Sequence, residues 1–183
     1  MKQLLYFLFA ILLSGGCSPD RPPVASVQID ELPPIYPDYV DVTIPATMAP
    51  LNFSVRGFGK VCTVFQTEGY TFSVCTSDGS LSIPEEKWKK LLAVGIGKQV
   101  DISVLVEDEG KWKAFRTFHI DVSTDPIDPY IAYRLIDPGY QLWGSMGIYQ
   151  RELNSFKQEA ILENRLTDSN CMNCHSFCNQ DPD

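Results

Sequence analysis

Five consecutive residues near the C-terminal end of the chain, Cys171-Met172-Asn173-Cys174-His175, have the spacing that attaches a c-type haem. Two thiols separated by two residues can form thioether bonds to both vinyl groups of one porphyrin, and the adjacent histidine then lies beneath the iron. The motif therefore predicts covalent haem c on Cys171 and Cys174, with His175 as the proximal iron ligand. A self-contained cytochrome c domain continues for many residues after this motif, whereas this sequence ends at Asp183. We therefore expect an incomplete haem pocket.

The sixth position of the iron has several candidate ligands. His119 is the only other histidine in the sequence, and strand alternation places it on an outward face. Methionine ligation, which raises the potential of a haem, could come from Met146 or Met48, and we favour Met146, which precedes a predicted helix. Met172 lies between the two thioether cysteines and is poorly placed to reach the opposite side of the ring. The remaining alternatives are a vacant or water-bound position, a ligand from another chain, and a ligand from the absent C-terminal portion.

Two other uses of these cysteines stay open. The first is a zinc site, because Cys171, Cys174, His175 and Cys178 are four ligands of the types that zinc binds. Adjacent residues such as Cys174 and His175 cannot easily both bind one tetrahedral ion, which counts against zinc. The second is a non-catalytic structural or binding protein in which the C-terminal cysteines form disulfides.

The N-terminus has the pattern of an export signal. A short basic start at Met1-Lys2-Gln3 precedes the apolar run from Leu4 to Leu13, which is too short to span a bilayer, for which ~20 residues are needed. Ser14-Gly15-Gly16-Cys17 follows and resembles a bacterial lipobox, although Ser14 stands where leucine is usual. Cys17 is then the lipidated first residue of the mature chain. An ordinary signal peptide and an uncleaved anchor are the alternatives.

All three interpretations of the N-terminus place the rest of the chain outside the cytoplasm. The lipobox interpretation also predicts the membrane as a partner through a lipid anchor, with the chain in the periplasm or at the outer membrane. Haem is attached to such motifs outside the bacterial cytoplasm, and disulfides persist there. Cys62 and Cys75 lie in two predicted neighbouring strands, so a hairpin could bring them within disulfide reach. The alternative is that both are small buried apolar residues.

Composition limits the function classes. The 183 residues carry a formal net charge of -8 and a pI near 4.7, which argues against a nucleic-acid partner because no basic stripe is present to neutralise phosphates. A hydrophobic content of 44% is sufficient for a packed core. We find no Ser/His/Asp set and no distinct carboxylate pair, so we do not expect an enzyme. A redox partner protein is the expected soluble partner of a haem carrier.

Proline and turn residues divide the chain into four segments. Residues 1–17 are the signal peptide with its lipobox-like cysteine, and residues 18–38 are a Pro-rich tether. Residues 39–123 contain short strand-like runs separated by Glu68-Gly69, Ser77-Asp78-Gly79 and Asp108-Glu109-Gly110, which predicts a mainly β fold and an antiparallel Ig-like β-sandwich. Residues 124–183 hold a connector, a helix and the CxxCH motif. The predicted strands are Tyr39–Ile44, Leu51–Arg56, Lys60–Gln66, Tyr70–Thr76, Val100–Glu107 and Trp112–Val122.

Two helices are predicted. A short amphipathic helix begins at Pro84, because Glu85 and Glu86 occupy the first turn and lysines follow. A second helix covers residues 147–166 and leads to the CxxCH motif. Between them, the alternation from Trp112 to Val122 predicts an inward face containing Phe118 and an outward face containing Phe115 and His119. The connector from Thr124 to about Gly144 contains three Asp-Pro steps and is rich in aromatic residues.

Four stretches resemble a family of exported Gram-negative lipoproteins. They are Ile35–Pro45, Ala49–Phe53, Asp128–Leu135 and Asn170–Phe177. Members of this family carry an N-terminal β-rich, Ig-like region, a single CxxCH motif and, in longer members, a TolB-like β-propeller. The resemblance covers nearly all of the mature chain and implies a haem c-binding lipoprotein. No propeller sequence follows Asp183, so the resemblance implies a truncated or split version.

Overall fold

The fold, taken from a computed structural model, is mainly β and comprises several sheets; the structure describes residues 22–25, 27–136 and 146–170. Within these ranges lie one α-helix, α1 (Glu85–Gly95), and a 3-10 turn at Asn164–Leu166. The strands are β1 (Val27–Gln28), β2 (Ile35–Tyr36), β3 (Thr43–Pro45), β4 (Phe53–Val55), β5 (Val61–Thr67), β6 (Tyr70–Thr76), β7 (Ser80–Leu81), β8 (Gln99–Asp108), β9 (Lys111–Ala114), β10 (Phe118–Ser123), β11 (Tyr130–Ile136), β12 (Met146–Glu152) and β13 (Gln158–Glu163).

A seven-stranded sheet is built around β8. One edge of β8 pairs with β5, which pairs in turn with β6. The other edge of β8 pairs with β10 along the first half of β8 and with β9 along its second half. Strands β1 and β3 extend the sheet in parallel beside β9 and β10. Separate three-stranded sheets have the orders β2-β4-β7 and β11-β12-β13.

One hydrophobic core receives side chains from the seven-stranded sheet, from β2-β4-β7 and from α1. Alternation along β8 buries Val100, Ile102, Val104 and Val106 on the core face. The adjacent strands β5 and β6 contribute Phe65 and Phe72, whose rings stack with centroids 4.9 Å apart. This core excludes Met146 and Ile148, although both are buried, so the sheet β11-β12-β13 is packed separately.

Helix α1 confirms the prediction of a helix after Pro84 and extends it to Gly95. Pro84 is extended and precedes the first turn, where Glu85 and Glu86 stabilise the positive end of the helix dipole. Trp88 is completely buried, and its indole Nε1 donates a hydrogen bond to the carbonyl oxygen of Met48 at 2.9 Å. The helix is therefore held to the β3–β4 connection by both packing and hydrogen bonding.

Turn residues predicted from the sequence connect the long hairpins. Glu68 and Gly69 form the two-residue loop between β5 and β6, and Gly69 has a φ of 89°. Glu109 and Gly110 join β8 to β9 with φ values of 51° and 75°, the combination that a tight hairpin turn with right-handed strand twist requires. The Glu68-Gly69 turn fixes the register in which Cys62 lies opposite Cys75.

The predicted single strand Trp112–Val122 is wrong, because β9 and β10 are separate strands. Phe118 is buried as predicted, but Phe115, predicted to face outward, is also buried at 7% exposure. Arg116 and Thr117 lie between these two core residues, so the strict alternation is interrupted there. An irregularity of this kind changes which face the following residues occupy, and alternation alone cannot reveal it.

The predicted helix over residues 147–166 is also wrong. The structure has the strands β12 and β13 there, followed by the 3-10 turn. β13 pairs with β12, and β12 pairs on its other edge with β11, which lies inside the segment expected to be a connector. β12 pairs with β11 along seven residue pairs, from Tyr130↔Glu152 to Ile136↔Met146. This pairing satisfies the backbone hydrogen-bonding groups of β12 and overrides a moderate helix propensity.

The second half of the expected tether over residues 18–38 is not a free linker, because it contains strands β1 and β2. Val27 and Gln28 pair with β9, Ile35 and Tyr36 pair with β4, and Ile35 is buried. Two further backbone bonds, Ile29 N to Ala114 O at 2.8 Å and Arg116 N to Glu31 O at 2.9 Å, fasten this segment to the sheet. From residue 27 onward the chain is therefore part of the β fold.

Replacing Thr63 with valine should stabilise the protein. Thr63 is fully buried on the core face of β5, and among the described residues its Oγ1 has no hydrogen-bond partner. A buried hydroxyl without a partner costs about 1–3 kcal/mol, so we expect Thr63→Val to raise the free energy of unfolding by roughly 1 kcal/mol in urea denaturation.

Thr67 on the same strand is the matched control. Its Oγ1 donates to the carbonyl of Gln99 at 3.0 Å, and it is 6% exposed. Thr67→Val should therefore destabilise by about 1 kcal/mol. An equal loss of unfolding free energy in the two variants would contradict the assignment of the Thr63 hydroxyl as a group without a hydrogen-bond partner.

Candidate functional site

The predicted haem-attachment residues Cys171, Cys174 and His175 lie outside the described residues, as do Cys17, Met172 and Cys178. The structure describes the chain up to Asn170, the residue immediately before Cys171.

A hydrogen-bonded turn fixes the chain directly before the motif. The carbonyl oxygen of Asn164 accepts bonds from the backbone N–H of Thr167 at 3.0 Å and of Ser169 at 2.9 Å, and from the Thr167 hydroxyl at 3.0 Å. Asn170 N–H then bonds to the Thr167 carbonyl at 3.0 Å. Asn164 is 5% exposed. The residue that precedes Cys171 is thus tied to the end of β13.

The register of β11-β12-β13 identifies which part of the sheet this end adjoins. Glu163, the last residue of β13, pairs with Gly147 of β12. Gly147 in turn pairs with Leu135 of β11, and the next pair along is Ile136↔Met146. The 3-10 turn therefore leaves the sheet at the end that carries Met146.

Met146 is the first residue of β12, rather than part of a loop before a helix as the sequence suggested. It is 5% exposed. Side chains of alternate residues share one face of a sheet, so Met146 shares a face with Ile148 and with the residues opposite them, Ile136, Arg134 and Leu162. We call these five residues the Met146 face. Four are apolar, and Arg134 supplies a positive charge.

Met48 belongs to the β3–β4 connection and lies beside the opposite end of this sheet. The backbone N–H of the next residue, Ala49, bonds to the carbonyl of Leu153 at 2.6 Å, and Leu153 directly follows the last residue of β12. A cavity of about 380 Å³ opens there, lined in part by Tyr39, Met48, Leu51, Ile131, Arg151 and Phe156. Burial raises the pKa of the Tyr39 hydroxyl in this cavity above its ordinary value.

His119 lies on β10, on the face of the seven-stranded sheet opposite the core, as predicted. Its Nδ1 is 3.6 Å from Asp41 Oδ1, and the two side chains are 41% and 59% exposed. The Asp41 backbone N–H also bonds to the His119 carbonyl at 3.0 Å. These contacts place His119 in a surface pair within the main β domain.

Cys62 and Cys75 face each other across β5 and β6 and are joined by a disulfide, with Cα atoms 4.0 Å apart. Cys62 is fully buried, whereas Cys75 is exposed on the sheet's free edge strand. Both lie on the face that turns away from the core. The bond closes the β5–β6 hairpin, so its role is to fasten that edge of the sheet.

Within the described ranges no group of three His, Cys, Asp or Glu side chains is arranged to hold a metal ion. In those same ranges, no helix combines the length and apolar character needed to cross a bilayer.

Sequence patterns did not predict the apolar residues at the end of the sheet that precedes Asn170. Exposed apolar side chains flank the end of the sheet, with Leu135 at 45%, Leu162 at 36% and Leu166 at 69% exposure. Leu135 falls in the expected connector, and Leu162 and Leu166 fall in the expected second helix. The signal for Leu135 is the run Tyr130–Ile136, whose apolar residues and Asp-Pro start favour a strand.

Comparison with models of known protein families and with curated proteins gives no match to this chain. Its function is therefore argued from the residues themselves.

Proposed function

We propose that this chain is a haem c-binding protein in which Cys171 and Cys174 form the thioether bonds and His175 is the proximal iron ligand. The observation that carries the proposal is the spacing of these three residues directly after a hydrogen-bonded turn. The donor set suits the group, because the thiols supply the covalent bonds and the imidazole supplies a nitrogen ligand. The apolar residues beside the turn suit a largely apolar macrocycle.

The role that follows is electron transfer or redox sensing, not catalysis. A bound haem would supply one-electron redox chemistry. The chain's own residues hold the ring in position and limit access of water to it. An acidic protein with a net charge of -8 favours a cationic redox partner through long-range attraction.

The proposed location is the periplasm or the outer membrane, with a lipid anchor on Cys17. The hydrophobic segment followed by Ser14-Gly15-Gly16-Cys17 supports export and lipidation. We further propose an Ig-like sandwich for the main β domain, supported by one core shared between the seven-stranded sheet and β2-β4-β7. Membership of the exported lipoprotein family with a single CxxCH motif is proposed on the four matching stretches.

A second candidate is a non-catalytic structural or binding lipoprotein whose C-terminal cysteines form disulfides or bind zinc. The Cys62–Cys75 disulfide favours it, since a compartment that oxidises this pair can also oxidise Cys171, Cys174 and Cys178. In that case the β domain would provide the binding surface.

Absorption of the denatured protein distinguishes the two. The full chain is co-expressed with haem-attachment machinery, denatured, and separated from free haem. We expect a Soret band in wild type and in Cys178→Ser, and complete loss of the covalent band in Cys171→Ser/Cys174→Ser, because thioethers survive denaturation. A wild-type protein without this band contradicts haem binding, and bound zinc or the absence of free thiols then supports the second candidate.

A further inference from the structure

The cavity of about 380 Å³ lies where the sheet β11-β12-β13 meets the main β domain. The two parts are joined there by the backbone hydrogen bond from Ala49 N to Leu153 O at 2.6 Å. Met48 and Leu51 line the cavity from the β3–β4 connection, and Ile131 lines it from β11. Its volume falls within the range of about 300–1,000 Å³ that small-molecule sites occupy. The junction therefore has room for a small organic ligand.

Three aromatic side chains belong to the lining of this cavity. Tyr39 comes from the segment before β3, Tyr133 from β11, and Phe156 from the β12–β13 loop. The Tyr133 hydroxyl donates a hydrogen bond to the side-chain oxygen of Gln158, which holds its ring in place. Ile131 and Phe156 are 48% and 56% exposed, so a ligand here would remove apolar surface from water. Aromatic rings pair by offset or edge-to-face contact, and this lining therefore favours a flat aromatic ligand.

Arg151 supplies a positive charge to the lining. Strand register places it opposite Ile131, on the face of the sheet that also carries Tyr133. Its guanidinium lies over the Phe156 ring, 5.5 Å from the centroid, and makes no hydrogen bond or ion pair with another described residue. Stacking occupies the face of a guanidinium and leaves the N–H groups at its edge available. Those groups match the two oxygens of a carboxylate.

Tyr39 adds a second hydrogen-bond donor. Its hydroxyl has no partner among the residues that the structure describes, and burial raises its pKa, so the group stays protonated at neutral pH. Glu152 also lines the cavity, but it alternates to the other face of β12 from Arg151. Its carboxylate accepts the Ser155 hydroxyl at 2.9 Å and lies 4.0 Å from Lys157 Nζ. The two side chains with unused polar groups are therefore donors, which favours an anionic ligand.

We propose that this cavity binds a small aromatic carboxylate. The ring of the ligand packs against Tyr133 and Phe156. Its carboxylate pairs with the Arg151 guanidinium and accepts a hydrogen bond from the Tyr39 hydroxyl. This binding activity goes beyond the proposed haem function and does not rest on it, because the cavity contains no residue of the CxxCH motif.

Isothermal titration calorimetry of the full chain with 2-naphthoate tests the site. We expect saturable binding about tenfold tighter than that of the neutral 2-naphthamide, because the amide cannot form the charge-assisted hydrogen bonds. Decanoate, a saturated carboxylate of similar size, should bind severalfold more weakly, because it lacks ring–ring contact. Cys171→Ser/Cys174→Ser should bind 2-naphthoate as wild type does, so loss of haem attachment leaves the result unchanged.

Substitutions test the role of each group. Arg151→Gln should weaken 2-naphthoate binding about tenfold and leave 2-naphthamide binding unchanged, and Tyr39→Phe should weaken 2-naphthoate binding severalfold. Arg134→Gln, on the Met146 face of the same sheet, is the matched control and should bind as wild type does. Ile131→Trp, which fills the cavity from an exposed position, should abolish binding of both ligands without changing the far-UV circular dichroism. Absence of saturable 2-naphthoate binding, or a preference over the amide that survives Arg151→Gln, overturns the inference. Equally tight binding of decanoate overturns its aromatic part.

Discussion

Trp88→Ala should lower the free energy of unfolding by about 3–5 kcal/mol, the cost of removing a large aromatic side chain from a packed core. Trp88 has no exposed surface, and its ring contacts Phe65 edge to face with centroids 6.1 Å apart. The variant also removes the Nε1 donor to the Met48 carbonyl at 2.9 Å. Urea denaturation followed by far-UV circular dichroism measures the change.

Two controls separate the parts of this effect. Trp112 on β9 is only partly buried, so Trp112→Ala should cost less than half as much. Trp88→Phe retains most of the packing but lacks the donor, so it should lower the free energy of unfolding by roughly 1 kcal/mol, the contribution of the hydrogen bond. A larger cost would show that packing is lost as well. Equal costs for Trp88→Ala and Trp112→Ala would show that α1 is not anchored by Trp88.

Removal of the Cys62–Cys75 disulfide should destabilise the protein by about 2–3 kcal/mol. The bond joins residues 13 apart in sequence, and closing a loop of this size restricts the unfolded chain by roughly 3 kcal/mol. The test is the midpoint of urea denaturation of Cys62→Ala/Cys75→Ala, measured with and without reductant.

Reductant supplies the internal control for that measurement. It should destabilise wild type by the same amount as the double substitution and should leave the double variant unchanged. Cys178→Ser should remain as sensitive to reductant as wild type. If the double variant were as stable as oxidised wild type, the disulfide would have no role in holding the edge strand.

Local signals predicted the central part of the fold, but not the C-terminal sheet. The β5–β6 and β8–β9 hairpins follow from short strand-forming runs and turn residues such as Glu109-Gly110, since each pairing is between neighbours in sequence. The residues of β12 and β13 satisfy a helix pattern about as well as a strand pattern. Their conformation is decided by the pairing of β12 with β11 and of β13 with β12, which a local pattern does not contain.

The candidate site likewise has some features that follow from local sequence and others that depend on strand pairing. The identities of Cys171, Cys174 and His175 follow from spacing alone, because the chemistry requires that spacing. The two methionines considered as distal ligands are alike in type, and the sequence does not show that Met146 begins β12 whereas Met48 belongs to the β3–β4 connection.

The pairing of β1 with β9 sets how far the domain can stand from a membrane. With Val27 held in the sheet, the chain between Cys17 and Val27 can extend to about 35 Å at most. If Cys17 carries the lipid, as proposed, the near edge of the domain stays within a few nanometres of the headgroups. Electron exchange would then take place in a thin layer beside the bilayer, where a membrane-bound partner meets the domain by lateral diffusion and a soluble partner must first approach the surface.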